Sequence, residues 1–176
     1  MNPAAARPSI AIRDALLADL AVILSLIRDL AAYERLLDEV EVTEARLQQT
    51  LFPAGAAQPS ASVVLGELNG AIAGFAVYFY NYSTFLGKPG LYLEDLFVRP
   101  EARGQGLGAA LLRHLVGIAA DRGCGRMEWA VLDWNSPAIE FYSRMGAKPM
   151  NDWTVFRLTG SALSRRPLPL AGSPAC

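Results

Sequence analysis

Arg103-Gly104-Gln105-Gly106-Leu107-Gly108 stands between an apolar, strand-like run at 91–98 and a long amphipathic helical pattern. Three glycines in five positions let the backbone turn sharply and approach a ligand closely, because no Cβ intervenes. The helix that follows directs its unpaired N–H groups and positive dipole end at the loop. Strand, glycine loop and helix start together suit phosphate oxygens. A nucleoside-triphosphate loop would carry lysine and then serine or threonine after its last glycine, and this chain has Ala109-Ala110. A dinucleotide fingerprint would read G-x-G-x-x-G, whereas Gly104, Gly106 and Gly108 run as G-x-G-x-G. Taken alone, the loop is compatible with a phosphate cradle or with a tight turn.

Outward from the loop, the helix carries Leu107, Leu111, Leu112, Leu115 and Ile118 on one face and stops near Gly123. Residues 127–132 read as a strand, Ser136-Pro137 opens a further helix, and Gly146 closes it. Residues 153–158 are a candidate last strand. Upstream, 63–68 and 72–80 read as strands joined by Asn69-Gly70, a strong hairpin signal, and 81–90 as an aromatic-bearing loop. At the start, 9–13 is β-like, and Leu16, Leu20, Ile23, Ile27 and Leu30 recur at helical spacing. Thr43 is placed to cap a second helix running to about Leu51. The order predicts one mixed α/β domain over 9–158, antiparallel in its first half with parallel crossovers around the glycine loop. Flexible ends are expected at 1–8 and 159–176.

The 176 residues suffice for a real core, and 52% hydrophobic with 19% charged residues describes a globular chain. A net charge of -1 argues against a dedicated nucleic-acid partner. No apolar run approaches the roughly 20 residues of a membrane span, and the first residues do not read as a signal peptide. A cytoplasmic location is expected. Cys124 and Cys176 have neither disulfide nor zinc spacing, and His114 is the single histidine, so no metal site is expected.

Arg103-x-x-Gly106-x-Gly108 matches the first signature of the GNAT superfamily of acetyltransferases, and 135–146, Asn-Ser-Pro-Ala-Ile-Glu-Phe-Tyr-Ser-Arg-Met-Gly, resembles its second. The stretches Ile-Arg-Asp-Leu-Ala-Ala-Tyr-Glu at 27–34, Leu-Glu-Asp-Leu-Phe-Val at 93–98 and Val-Leu-Asp-Trp-Asn at 131–135 further resemble the diamine (spermidine/spermine) and thialysine acetyltransferases. The resemblance implies an α/β GNAT fold: a mixed, mostly antiparallel sheet with a splay between two parallel strands, flanked by about four helices. It implies acetyl-CoA as cosubstrate. Leu96, Phe97 and Val98 would meet its acetyl and pantetheine end. Arg103, Gly104, Gln105, Gly106, Leu107, Gly108 and Ala109 would hold its pyrophosphate, and Asn135, Ser136, Pro137 and Ala138 would flank the arm. A homodimer sharing its substrate pocket is also implied.

Acetyl transfer to an amine needs a neutral amine, a polarised thioester carbonyl and a proton for the departing thiolate. An alkyl ammonium with a pKa near 10.4 is neutral in roughly one molecule per thousand at pH 7. By the resemblance Glu94 assists its deprotonation, directly or through water. Adjacent strand residues face opposite sides, so only one of Glu94 and Asp95 is expected in a given pocket. Tyr142 corresponds to the proton donor for the thiolate. The resemblance also implies Tyr33, Glu34, Glu94, Glu128, Trp129 and Ala130 as the substrate-binding residues, and acids with aromatic faces suit a small cationic amine. Two departures weaken a polyamine preference: Asn81-Tyr-Ser-Thr-Phe85 lacks an acid and a tryptophan, and the segment after Gly146 lacks paired glutamates. A lysine-like or thialysine acceptor is at least as compatible. A protein or peptide N-acetyltransferase and a non-catalytic acetyl-CoA-binding module remain the alternatives.

Overall fold

The computed structural model describes residues 8–164. Its elements run β1 (Ile10–Asp14), α1 (Leu20–Glu34), α2 (Glu44–Leu51), β2 (Ser62–Leu68), β3 (Ala71–Ser83), β4 (Lys88–Val98), α3 (Leu107–Asp121), β5 (Met127–Glu128), α4 (Ser136–Arg144) and α5 (Gly160–Ser164). The five strands form one sheet in chain order, antiparallel from β1 to β4 and parallel between β4 and β5. The chain divides after Trp134 into two compact units.

In the first unit, α1 and α2 cover one face of the sheet. Ile23, Leu24, Leu26 and Leu47 pack with Val63, Leu65, Phe75 and Phe97, and each fully buried large apolar side chain contributes about 1.5–3 kcal/mol. Leu16, expected on the α1 stripe, instead precedes the helix and is 63% exposed. The Asp19 carboxylate explains this: it accepts from the Leu16 amide at 2.8 Å while Arg13 grips it at 2.7 and 2.9 Å. The chain is thereby turned through a 3-10 turn, Leu17–Asp19, before α1 begins. Helix α2 starts where expected, with the Thr43 hydroxyl accepting from the Arg46 amide.

Helix α3 covers the other face, burying Leu107, Leu111, Leu112 and Leu115. Gly66 of β2 permits this approach, since a Cβ there would lie 2.9 Å from Leu107 Cδ1. The Asn69-Gly70 hairpin forms as expected, with φ of 53° and 81°.

Two expectations about the sheet change. The stretch 81–90 is mostly hairpin, not loop: Asn81 pairs with Gly90, Tyr82 with Pro89 and Ser83 with Lys88. The Asn81 side chain packs where a Gly90 Cβ would otherwise collide with its Oδ1. The strand expected over 127–132 pairs only at Met127 and Glu128, opposite Leu91 and Tyr92. Beyond that point β4 bulges and the two strands part, which is the expected splay.

In the second unit, Asn135 caps α4 by accepting from the Ala138 amide, and Gly146 follows the helix with φ 93°. The candidate strand at 153–158 does not form among the described residues. It finds no ladder partner, and Trp153, Val155 and Phe156 stay exposed. Of the expected flexible ends, Gly160–Ser164 is helical, and 1–7 and 165–176 lie outside the described residues.

Candidate active site

The glycine loop takes the shape its composition suggests. Gly104 and Gly106 have φ of 75° and 92°, and no atom lies near enough to obstruct a Cβ at Gly104. Backbone conformation therefore requires these glycines, not lack of space. Gly106 is the N-cap of α3, and the first intrahelical bond runs from the Ala110 amide to its carbonyl. The amides of Leu107, Gly108 and Ala109 precede that bond and head the helix, the donor set that a pyrophosphate requires.

The Arg103 side chain does something the loop motif does not reveal. Its Nε donates to the Val98 carbonyl at 2.9 Å, and its guanidinium lies 4.4 Å from the Tyr33 ring centre and 5.6 Å from that of Phe97. Tyr33 sits 6.4 Å from Phe97 and 6.0 Å from Trp134. The loop is thus tied to the end of α1 through an aromatic group. Beside it, a cavity of about 550 Å³ opens between Ser25, Asp29 and Tyr33 of α1 and Phe97, Arg99 and Glu101. Arg99 bridges its walls, donating to Asp29 at 2.9 Å and to Ser25 at 3.0 Å.

The bulge in β4 determines where the acids go. Val77 pairs with Asp95 and Tyr78 with Leu93, so Glu94 is the extra residue. Without it Leu93, Asp95 and Phe97 would share a face. Instead Leu93 lies opposite Tyr78 on the α3 side, and Asp95 joins Phe97 on the α1 side. Glu94 is exposed and Asp95 half-buried. Burial first, then the charges of Glu94 and Glu34, push the Asp95 carboxyl up to about 6. Burial also raises the Glu34 carboxyl.

The other expected residues divide. The Glu128 carboxylate is held by Arg126 at 2.7 Å and by Asn81 at 3.4 Å, while Trp129 and Ala130 follow β5 outside regular structure. Leu96, Phe97 and Val98 end β4. Asn135, Ser136, Pro137 and Ala138 form the start of α4, and Tyr142 lies on the same helix, its ring 5.2 Å from that of Phe141. They belong to the second unit. Reading the sequence missed the contacts of Arg103, Trp134 and Asp95. The Leu-Glu-Asp triplet contains the bulge, but no residue in it announces which acid is the extra one. Among the described residues no cluster of histidine, cysteine or acids could hold a metal ion, and no helix is long and apolar enough to cross a membrane.

The acetyltransferase (GNAT) family model matches residues 26–147. A thialysine N-epsilon-acetyltransferase of Bos taurus is 36% identical over 163 residues, covering 86% of this chain and 94% of that protein. An L-ornithine N5-acetyltransferase of Arabidopsis thaliana is 48% identical over 92 residues, 52% of this chain and 40% of that protein. Among solved structures, a probable acetyltransferase superposes with a TM-score of 0.72 at 22% identity, covering 86% of this chain and 98% of that one. At that identity the likeness concerns the fold alone.

Proposed function

Because the chain belongs to the acetyltransferase (GNAT) family and is an acetyl-CoA-dependent acetyltransferase, we propose that its acceptor is a primary amine of a small cationic molecule. Diamines, polyamines and lysine-like amino acids such as thialysine form the candidate class, in keeping with relatives named for thialysine and for spermidine/spermine. One observation carries this reading: Glu34, Glu94 and Asp95 gather where β4 leaves β5, beside the rings of Tyr33, Phe97 and Trp134. Carboxylates attract an ammonium group and aromatic faces tolerate both its charge and its methylenes.

Acetyl-CoA, when bound, supplies an activated thioester. The α3 amides and the loop bind its phosphates, and the backbone of Leu96, Phe97 and Val98 orients the carbonyl. Glu94, at the bulge and open to solvent, receives the ammonium proton directly or through water. The neutral amine attacks the carbonyl carbon, the carbon–sulfur bond breaks, Tyr142 donates to the leaving sulfur, and the proton lost from the acylated nitrogen returns to Tyr142 through solvent. Proton transfer from a phenol near pKa 10 to a thiolate near 8.5 is uphill by about 2 kcal/mol, so a hydrogen bond to developing charge suffices. A homodimer is part of the same reading, supported by exposed apolar side chains at Trp153, Val155 and Phe156.

An acetyl-CoA-dependent thiol-release assay over diamines, polyamines, diamino acids and peptides tests the proposal. Release with small amines and none with peptides is expected. Release only with peptides would replace it with peptide acetylation, and binding of acetyl-CoA without release would make the chain a binding module.

A further inference from the structure

Helix α1 ends on two residues of opposite charge that turn to different neighbours. Glu34 acts on Asp95, as the electrostatics of that carboxyl record. Arg35 takes the C-cap with φ 62°, a left-handed conformation that favours glycine or asparagine. Its guanidinium lies 5.9 Å from the ring centre of Trp134, a residue left half exposed. Among the described residues no carboxylate forms an ion pair with Arg35, whereas Arg13 has two, and Arg99 and Arg126 one each. The end of α1 therefore carries an acidic pole at Glu34 and Asp95 and a cationic pole at Arg35, with Tyr33 and Trp134 in ring contact beside them.

We propose that Arg35 anchors the α-carboxylate of an ω-amino amino acid, so that the site takes a diamino acid in preference to the diamine of matching length. The inference deepens the amine-acetylation reading above and rests on it. A diamine offers two ammonium groups, one of which an exposed guanidinium repels. An amino acid of the ornithine or lysine type has an ammonium for the acidic pole and, a few bonds away, a carboxylate for the cationic one. A planar guanidinium meets a carboxylate through two parallel N–H bonds, a geometry an ammonium cannot offer. The Trp134 ring, its centre 5.9 Å from the guanidinium carbon, attracts the cation without taking up the N–H donors that pairing needs. Arg35 is thus a specificity-determining residue, remote from the bonds that change.

Steady-state kinetics with L-ornithine, its methyl ester and putrescine test this. These share one amino terminus, and only ornithine bears the carboxylate. The wild-type enzyme is expected to use L-ornithine at least tenfold better in kcat/KM than the other two. Arg35→Ala should lower the ornithine-to-putrescine ratio at least tenfold, chiefly through KM, and Arg35→Lys should restore part of it. A melting curve and acetyl-CoA binding report whether the variant folds, and the methyl ester on the wild-type enzyme reads the carboxylate without any variant. Equal use of ornithine and its ester, or equal losses on ornithine and putrescine in Arg35→Ala, would overturn the inference and leave amine acetylation standing. Failure of every small amine would overturn both.

Discussion

Glu94 and Asp95 are neighbours in the chain, and one unpaired position in β4 gives them different environments. The exposed acid can exchange protons with solvent. The half-buried one holds its proton up to about pH 6, against an ordinary value of 3.8. Between those values the folded state binds a proton that the unfolded chain releases. Stability therefore declines as pH rises from about 4 to 6, and the loss persists above 6. Asp95→Asn should raise the melting temperature at pH 8 by a few degrees, corresponding to about 1–3 kcal/mol, with the gain vanishing below pH 4. The same variant should lower kcat/KM at neutral pH and flatten its fall below about pH 6, because a carboxylate that helps attract the ammonium is gone. A pH profile unchanged in Asp95→Asn would remove Asp95 from the site. For Tyr142→Phe, turnover should fall at least 100-fold while acetyl-CoA still binds. Turnover close to wild type would remove the proton-donor role.

At the scale of elements, the loop before α3 depends on backbone conformation. Gly106 is the N-cap at φ 92°, where a side chain meets strain although Ile10 Cδ1 is 3.7 Å from an added Cβ. Gly106→Ala should cost about 1–2 kcal/mol, lowering the melting temperature by roughly 2–8 °C. It should also raise the KM for acetyl-CoA, because the amides that head the helix move with the cap; an unchanged KM would detach the loop from cofactor binding. Sequence patterns were good guides here. Apolar spacing located α1 and α3, Thr43 the start of α2, Asn69-Gly70 the hairpin turn and Ser136-Pro137 the start of α4. They were poor guides to strand ends. The Asn81–Gly90 ladder and the early end of β5 depend on what lies across the sheet, which local composition does not encode.

For the molecule as a whole, the residues after α4 hold the largest departure from the sequence reading. Trp153, Val155, Phe156 and Leu158 are between 69% and 91% exposed, a run that a second copy would cover in the proposed dimer. Phe156→Asp should then shift sedimentation from dimer to monomer at micromolar concentration. A wild-type protein that sediments as a monomer would remove the dimer.

By itself the sequence determined the family, the fold class and the glycine turn that opens α3. These rest on local signals: glycine where φ must be positive, apolar residues at helical spacing, and two signatures whose members lie close along the chain. Only the tertiary structure decided which acid faces α1, that Arg103 docks on Tyr33, and that Arg35 meets Trp134. Those facts depend on register and on contacts across α1, β4 and the end of the first unit. A single bulged residue, invisible as a residue type, reverses the alternation on which a sequence reading of facing side chains depends.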